Sequence, residues 1–282
     1  MIPKIMHFYW EGLALPWMRY MSLFSFRVWN PEWKIILHIG QNDCDRNCGF
    51  VFDKSVDYFD KVKSLDIEIK DWAITANHNK KYRDKLRSIV NQKPIPAQKS
   101  DIFTWDVLST DGGFYSDMDI IFIKPMESFY KKICNYDNLV SFFDGYVSIG
   151  FLASGPQSKL YDYLLKNVSK QFNVKEPECV GGPLFSKLFN HSLESLCSKF
   201  PVTYNIPKHI VYPFTYLEYS DIYSPLVVDF DVDVVGVHWF GGGPASIEYS
   251  EYFTEDNFMD ILCVFTYLAL KVYKKAYEQF NI

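Results

Sequence analysis

The sequence predicts an α/β protein whose sheet is built from crossovers. Three observations predict it. Residues 5–10, 16–29 and 33–39 read as strand, helix and strand in immediate succession, which is how a crossover-built sheet begins. Residues 97–110 read as a helix that stops at Gly112-Gly113, and the apolar run Ile120-Ile121-Phe122-Ile123 follows. Residues 232–240 carry a last strong strand pattern far downstream. With 282 residues the chain can bury one large core, and we expect a single domain over 1–282.

The first helix ends before Asn30-Pro31, because proline disfavours helix in the residue that precedes it. The stretch 44–92 has mixed charge and modest periodicity. Its basic run, Lys80-Lys81-Tyr82-Arg83-Asp84-Lys85, reads as a solvated helical face. In the helix over 97–110, Ala97, Asp101, Trp105 and Leu108 share one face. A carboxylate on an apolar stripe invites a ligand or a buried partner. Further strands are expected over 139–143 and 147–153, helices over 157–172 and 182–189, and a closing helix over 254–280. The closing helix pairs Phe258, Ile261, Leu262, Phe265 and Leu268 with Lys271, Lys274 and Lys275. That pattern suits packing onto the sheet, with peripheral contact to a membrane or a partner as the second reading.

A net charge of -5 argues against a nucleic-acid binder, since phosphate backbones select basic surfaces. The six cysteines show no paired CxxC spacing, so reduced thiols in the cytoplasm are expected. The N-terminus has no signal-peptide pattern, and the apolar segment 261–269 falls short of the roughly 18 residues a membrane span needs. The chain therefore reads as soluble. Aromatic residues make up 18% of it, which suits an aromatic core first and carbohydrate handling second.

The chemistry concentrates at Asp117-Met118-Asp119, between Gly-Gly turn and buried strand. Two carboxylates beside a core are costly unless a cation or a set of donors compensates them. A divalent metal carrying a phosphorylated substrate is a natural compensator, because hard oxygen ligands suit Mg²⁺ or Mn²⁺. A bare Asp-x-Asp is weak evidence, since such pairs often only turn the backbone. The preceding helix, glycines and Tyr115 and the following apolar run make it a candidate nucleotide-sugar site.

Six blocks then identify a resemblance: IPKIMHFYWEG at 2–12, WNPEW at 29–33, AQKSDIFTWDVLSTDGGFYSDMDIIFIKP at 97–125, SGP at 154–156, GGP at 181–183 and VHWFGG at 237–242. In this order they resemble glycosyltransferase family 32, the DXD-containing sugar transferases. The resemblance implies a GT-A type, Rossmann-like nucleotide-sugar-binding fold, with a mixed central sheet flanked by helices. Residues up to about 125 would form its donor-binding part and the rest its acceptor and closing part. The implied activity is metal-dependent transfer of a hexosyl or pentosyl group from a nucleotide-diphosphate sugar to a glycan hydroxyl, with retention. UDP is favoured over GDP as the carrier.

Carried over by position, Asp119 looks like the direct metal ligand, Asp117 like the residue that reaches the ribose, with or without a metal contact, and His238 like a late metal ligand. A hydrogen-bonded core histidine is the plain alternative for His238. Asp101 is similar to the acidic residue that grips donor-sugar hydroxyls, which makes Asp101, Asp117 and Asp119 the catalytic candidates. Trp10 looks like the ring that stacks on the base, with core packing as its alternative. Phe8 and Tyr9 are further donor-binding candidates, although strand neighbours face opposite sides and only one set can line a pocket. Trp239 and Gly241 belong either to a loop closing on the diphosphate or to an ordinary turn. Asp144 is either near the acceptor or a turn residue. Relatives commonly carry arginine where this chain has Thr104, and threonine cannot supply that fork of donors. Lys99 is the nearby substitute, on another face. The departure motivates a second reading, a catalytically silent nucleotide-sugar or glycan-binding module.

Overall fold

The computed structural model describes residues 1–40, 56–74, 82–225 and 228–280. Cys44, Cys48, Lys80 and Lys81 lie outside the described residues. In chain order the elements are β1 (Ile5–Trp10), α1 (Trp17–Trp29), β2 (Lys34–Gly40), α2 (Phe59–Val62), β3 (Glu68–Trp72), α3 (Arg83–Val90), α4 (Pro96–Thr110), β4 (Gly113–Ser116), β5 (Ile120–Phe122), α5 (Glu127–Ile133), β6 (Asn138–Phe143), β7 (Tyr146–Ser154), α6 (Lys159–Gln171), α7 (Gly182–Leu188), α8 (Leu193–Lys199), β8 (Thr203–Asn205), β9 (Gly236–His238), α9 (Pro244–Tyr252) and α10 (Val264–Phe280).

Seven of these strands form a mixed sheet in the order β3-β2-β1-β4-β7-β6-β8. Strands β3, β2, β1 and β4 run parallel, while β7 is antiparallel to both β4 and β6. A separate antiparallel pair, β5 with β9, aligns Ile120 with His238. Helices cover both faces. One apolar cluster joins α1 and α10 to Met6, Phe8 and Trp10, and the other joins α4 and α6 to Tyr9. The alternation along β1 follows from the two-residue period of a strand.

Local chemistry explains the boundaries that position the site. Helix α4 starts with proline in its first turn, where the missing N–H costs nothing, and Gln98 Oε1 accepts the Ile95 N–H at 3.2 Å. It ends at Gly112, whose φ of +67° and close approach to the Gly155–Pro156 backbone leave no room for a side chain.

Two expected elements are shorter than their patterns. The strand expected over 232–240 pairs only over Gly236–His238, because β5 offers three residues and Val232 is 92% exposed. The closing helix begins at Val264 rather than 254, after a 3-10 turn at Phe258–Asp260, with Thr266 Oγ1 accepting the Cys263 N–H at 3.0 Å. The Gly241-Gly242-Gly243-Pro244 stretch leads into α9, which the pattern did not show. Strand β3 was also hidden, because Glu68, Ile69 and Asp71 are exposed on an edge and give no apolar run. No helix among the described residues is long and apolar enough to cross a membrane.

Candidate active site

The acidic pair sits where the chain leaves one sheet and enters the other. The Asp117 N–H donates to Gly150 O at 2.8 Å, which prolongs the pairing of β4 with β7. The Trp239 N–H donates to Asp119 O at 2.8 Å, which prolongs the pairing of β5 with β9. Between them, Ser22 Oγ of α1 donates to Met118 O at 2.8 Å and pins the bend. Both carboxylates thereby meet His238, whose Nε2 lies 3.1 Å from Asp119 Oδ1 and 3.9 Å from Asp117 Oδ2. One ligand atom from each of the three residues lies within 4.8 Å of the other two.

The charges in this group are set by partners rather than by burial alone. Burial raises the Asp119 pKa, but His238, Arg19 and the Gly241 N–H outweigh it and hold the carboxyl well below the usual carboxylate range. Burial lowers the imidazole of His238, and Asp119 and Asp117 override it, lifting the group to about 9. The two oxygens of Asp119 differ. Oδ2 accepts the Gly241 N–H at 2.7 Å and has an Arg19 nitrogen at 3.7 Å. Oδ1 is buried, makes no well-directed hydrogen bond and has His238 Nε2 as its ion-pair partner at 3.1 Å.

An orphaned carboxylate oxygen, a second carboxylate and an imidazole are a donor set that fits a divalent cation. Space is kept for it, since a Cβ on Gly150 would stand 2.7 Å from Asp117 Oδ2 and 3.1 Å from His238 Nε2. Phe240 N lies 3.2 Å from His238 Nδ1, the ring nitrogen opposite the one that faces the carboxylates. Phe240 itself is held at φ +51°, an unfavourable conformation for a bulky residue.

A hydrogen-bond chain ties this group to α4. Tyr115 Oη donates to Asp117 Oδ1 at 2.6 Å, so the 2.8 Å contact with Ser100 has the serine hydroxyl as donor. Next to Ser100, the Asp101 carboxyl is 7% exposed, and a Cβ on Gly181 would come within 2.6 Å of its Oδ2. The loop bearing Gly181 is fixed by Trp105, whose Nε1 donates to Val180 O at 2.7 Å. Burial, then the Asp117 and Glu178 carboxylates, push the Asp101 pKa well above its ordinary range. Thr104 is fully buried and donates back to Ser100 O at 2.9 Å along its own helix.

The aromatic candidates divide by strand face. Phe8 is completely buried, edge-on to Phe26, and offers no surface to a ligand. Tyr9 turns to the other face, stacks on Phe103 and donates to Glu11 Oε2 at 2.8 Å. Lys99 Nζ holds Glu11 Oε1 at 2.7 Å, so this lysine is committed to a buried ion pair rather than pointing at the acidic group. Trp10 is 9% exposed and has the Arg19 guanidinium 5.8 Å above its ring. Trp239 is completely buried beneath the same guanidinium at 4.6 Å, which removes it from any open surface. Gly241 meets the site through its backbone N–H. Asp144 and Gly145, at φ +53° and +80°, make the tight turn between β6 and β7, with the Asp144 side chain exposed beside Lys208.

Sequence reasoning passed over Arg19, Glu11, Gly150 and Tyr212, whose buried hydroxyl lacks a hydrogen-bond partner beside His238. Arg19 had a usable signal, a charge inside the apolar helical run Trp17-Met18-Arg19-Tyr20-Met21. The same signal did pick out Asp101.

Comparison with known proteins bears on the fold and on the acidic motif. Residues 18–139 match the family described as the glycosyltransferase sugar-binding region containing DXD motif. No curated protein matches the sequence. Among solved structures, the PaToxG glycosyltransferase aligns at a TM-score of 0.50 with 18% identity, over 71% of this chain and 72% of its own. The glycosyltransferase GlyE of Streptococcus pneumoniae TIGR4 aligns at 0.49 with 9% identity, over 98% of this chain and 64% of its own. The galactosyltransferase LgtC aligns at 0.48 with 11% identity, over 96% of this chain and 95% of its own. Residues 18–139 thus match the model of the DXD-containing glycosyltransferase sugar-binding family, and the mixed sheet that carries them is a GT-A type fold.

Proposed function

We propose that the protein transfers a hexosyl or pentosyl group from a nucleotide-diphosphate sugar, a UDP-sugar in preference to a GDP-sugar, to a glycan hydroxyl. The observation that carries this is the convergence of Asp117, Asp119 and His238, with one ligand atom of each within 4.8 Å of the other two. These residues would hold Mn²⁺, or Mg²⁺ with fewer protein ligands. When bound, the cation neutralises the charge of the departing diphosphate.

The chain's own residues have separable tasks in this reading. Asp119 and His238 bind the cation, and Asp117 shares its charge between cation and ribose while Tyr115 fixes its orientation. Asp101, whose environment favours the neutral acid, hydrogen-bonds sugar hydroxyls as donor or acceptor. Trp10 offers the ring nearest the surface for the base. The part after residue 125 also reaches into the donor site, through Gly150, Gly181 and His238. Transfer with retention would have the acceptor hydroxyl attack the face the leaving group vacates, and NMR assignment of the product anomer tests it.

The decisive experiment measures release of nucleotide diphosphate from a donor panel with and without Mn²⁺. Release that requires Mn²⁺ and disappears in Asp119→Asn supports the transferase. Donor binding without turnover for any sugar would favour the second reading, a silent binding module, for which Thr104 in place of arginine is the motivating observation.

A further inference from the structure

We propose that Arg19 is the positioning residue that readies Asp119 for the cation, a role that rests on the metal site proposed above. Arg19 belongs to α1, a helix otherwise given over to the apolar core, and only 8% of its surface is exposed. A guanidinium in such a place normally spends its five donors on carbonyls and carboxylates. Arg27, two turns further along the same helix, does so: its nitrogens donate to the carbonyls of Pro31, Trp33, Leu65 and Asp66. Arg19 instead leaves its buried Nε without a hydrogen bond among the described residues, where its one ion pair is with Asp119 at 3.7 Å. A desolvated cation so poorly satisfied is costly for folding alone. What it gains is placement.

The surroundings fix the guanidinium in one position. Its charge lies over Trp239 at 4.6 Å and over Trp10 at 5.8 Å, two faces that attract it and exclude water. From a third side Gly241 closes in, where a Cβ would come within 2.2 Å of an Arg19 nitrogen. Glycine at 241 thus lets one loop do two things: press against Arg19 and donate its N–H to Asp119 Oδ2 at 2.7 Å. Cation and amide both act on Oδ2. The carboxylate is therefore oriented with Oδ1 turned toward His238 Nε2, 3.1 Å away, so that the two candidate ligand atoms face the same space.

The test is Mn²⁺ binding to the full chain, read by electron paramagnetic resonance in the absence of donor, with thermal unfolding as the control for folding. Arg19→Met keeps the apolar stem between the two tryptophans and removes the charge. It should weaken Mn²⁺ roughly 10–100-fold, the usual cost of losing an outer-sphere partner. Arg19→Lys, which restores a point charge without the planar fork, should recover part of that loss. Gly241→Ala, which displaces the guanidinium from behind, should weaken Mn²⁺ in the same direction with Arg19 itself unchanged. A folded Arg19→Met protein that binds Mn²⁺ with unaltered affinity overturns the proposal, and so does Arg19→Met destabilised with no difference between Met and Lys. Mn²⁺ affinity that also survives Asp119→Asn refutes the metal site itself, a different failure from this one.

Discussion

Asp119 and Asp101 are equally buried, at 8% and 7% exposure, yet their surroundings push them in opposite directions. Asp119 has an imidazole, a guanidinium and a backbone N–H around it and is held as an anion. Asp101 has two carboxylates as its charged neighbours, and its ionisation is suppressed. Burial raises both, so the partners decide the sign. The site is accordingly split into a half built to keep negative charge for a cation and a half built to keep a carboxyl that can donate hydrogen bonds to hydroxyls. The two halves join through Ser100, Tyr115 and Asp117.

The largest expected effect breaks the first half. Asp119→Asn removes the charge and the free oxygen together and should cost more than the roughly 100-fold at the upper end for outer-sphere changes. Titration with Mn²⁺, together with nucleotide release, reads it directly, and near-native affinity would contradict the split.

Next in size is pH. Without a cation, His238 keeps its proton up to about 9, so binding at neutral pH must expel that proton. Mn²⁺ affinity should rise about tenfold per pH unit between 6 and 8 and level off above about 9. Calorimetry in buffers of different ionisation heat would count the proton released. The sign reverses for the stability of the cation-free protein. A pKa raised in the folded state stabilises fully below the ordinary imidazole value of 6.5, and that contribution is lost as pH rises through about 9. Tm without metal should therefore fall across that interval.

Asp101→Asn addresses the other half. It should lower donor affinity by about 10–100-fold, the range for losing a hydrogen bond to a charged or strongly polar group, with Mn²⁺ affinity spared. Because the folded-state pKa of Asp101 is raised, its ionisation opposes folding above the ordinary value of 3.8. The variant should show a higher Tm at pH 7 and no difference near pH 3. A lower Tm at pH 7 would show that the carboxylate has a stabilising partner.

The smallest contrast uses glycines. Gly150→Ala crowds Asp117 and His238, and Gly181→Ala crowds Asp101. The first should weaken Mn²⁺ and the second should weaken donor sugar, each about tenfold, and identical profiles for the two would dissolve the distinction between the halves.

Much of this was legible in sequence because it depends on local costs. The acidic pair beside Ile120–Ile123 and Asp101 on an apolar stripe both advertise carboxylates that need a compensator, and the Gly112 turn and proline-led α4 are near-neighbour effects. What escaped depends on distant chain. Arginine in a helix usually reaches solvent through its long stem; Arg19 does not, because Trp10 and Trp239 arrive from parts of the chain far apart in sequence. Gly150 and Gly181 look ordinary until Asp117, His238 and Asp101 are placed against them. The length of β9 was overstated because an apolar residue in the sequence need be neither buried, as Val232 shows, nor paired, since pairing requires a partner of equal length.

The pairing of β5 with β9 has a consequence for synthesis. Ile120 waits for His238, so the acidic pair emerges from the ribosome well before the third ligand exists. During that interval the two carboxylates stand beside apolar strands without the imidazole of His238, and closing so long a loop is among the slower steps of folding. Cation capture can therefore reward the last step of assembly but cannot direct the first, and a nascent chain halted before residue 236 would display the DXD signature without the capacity it signifies.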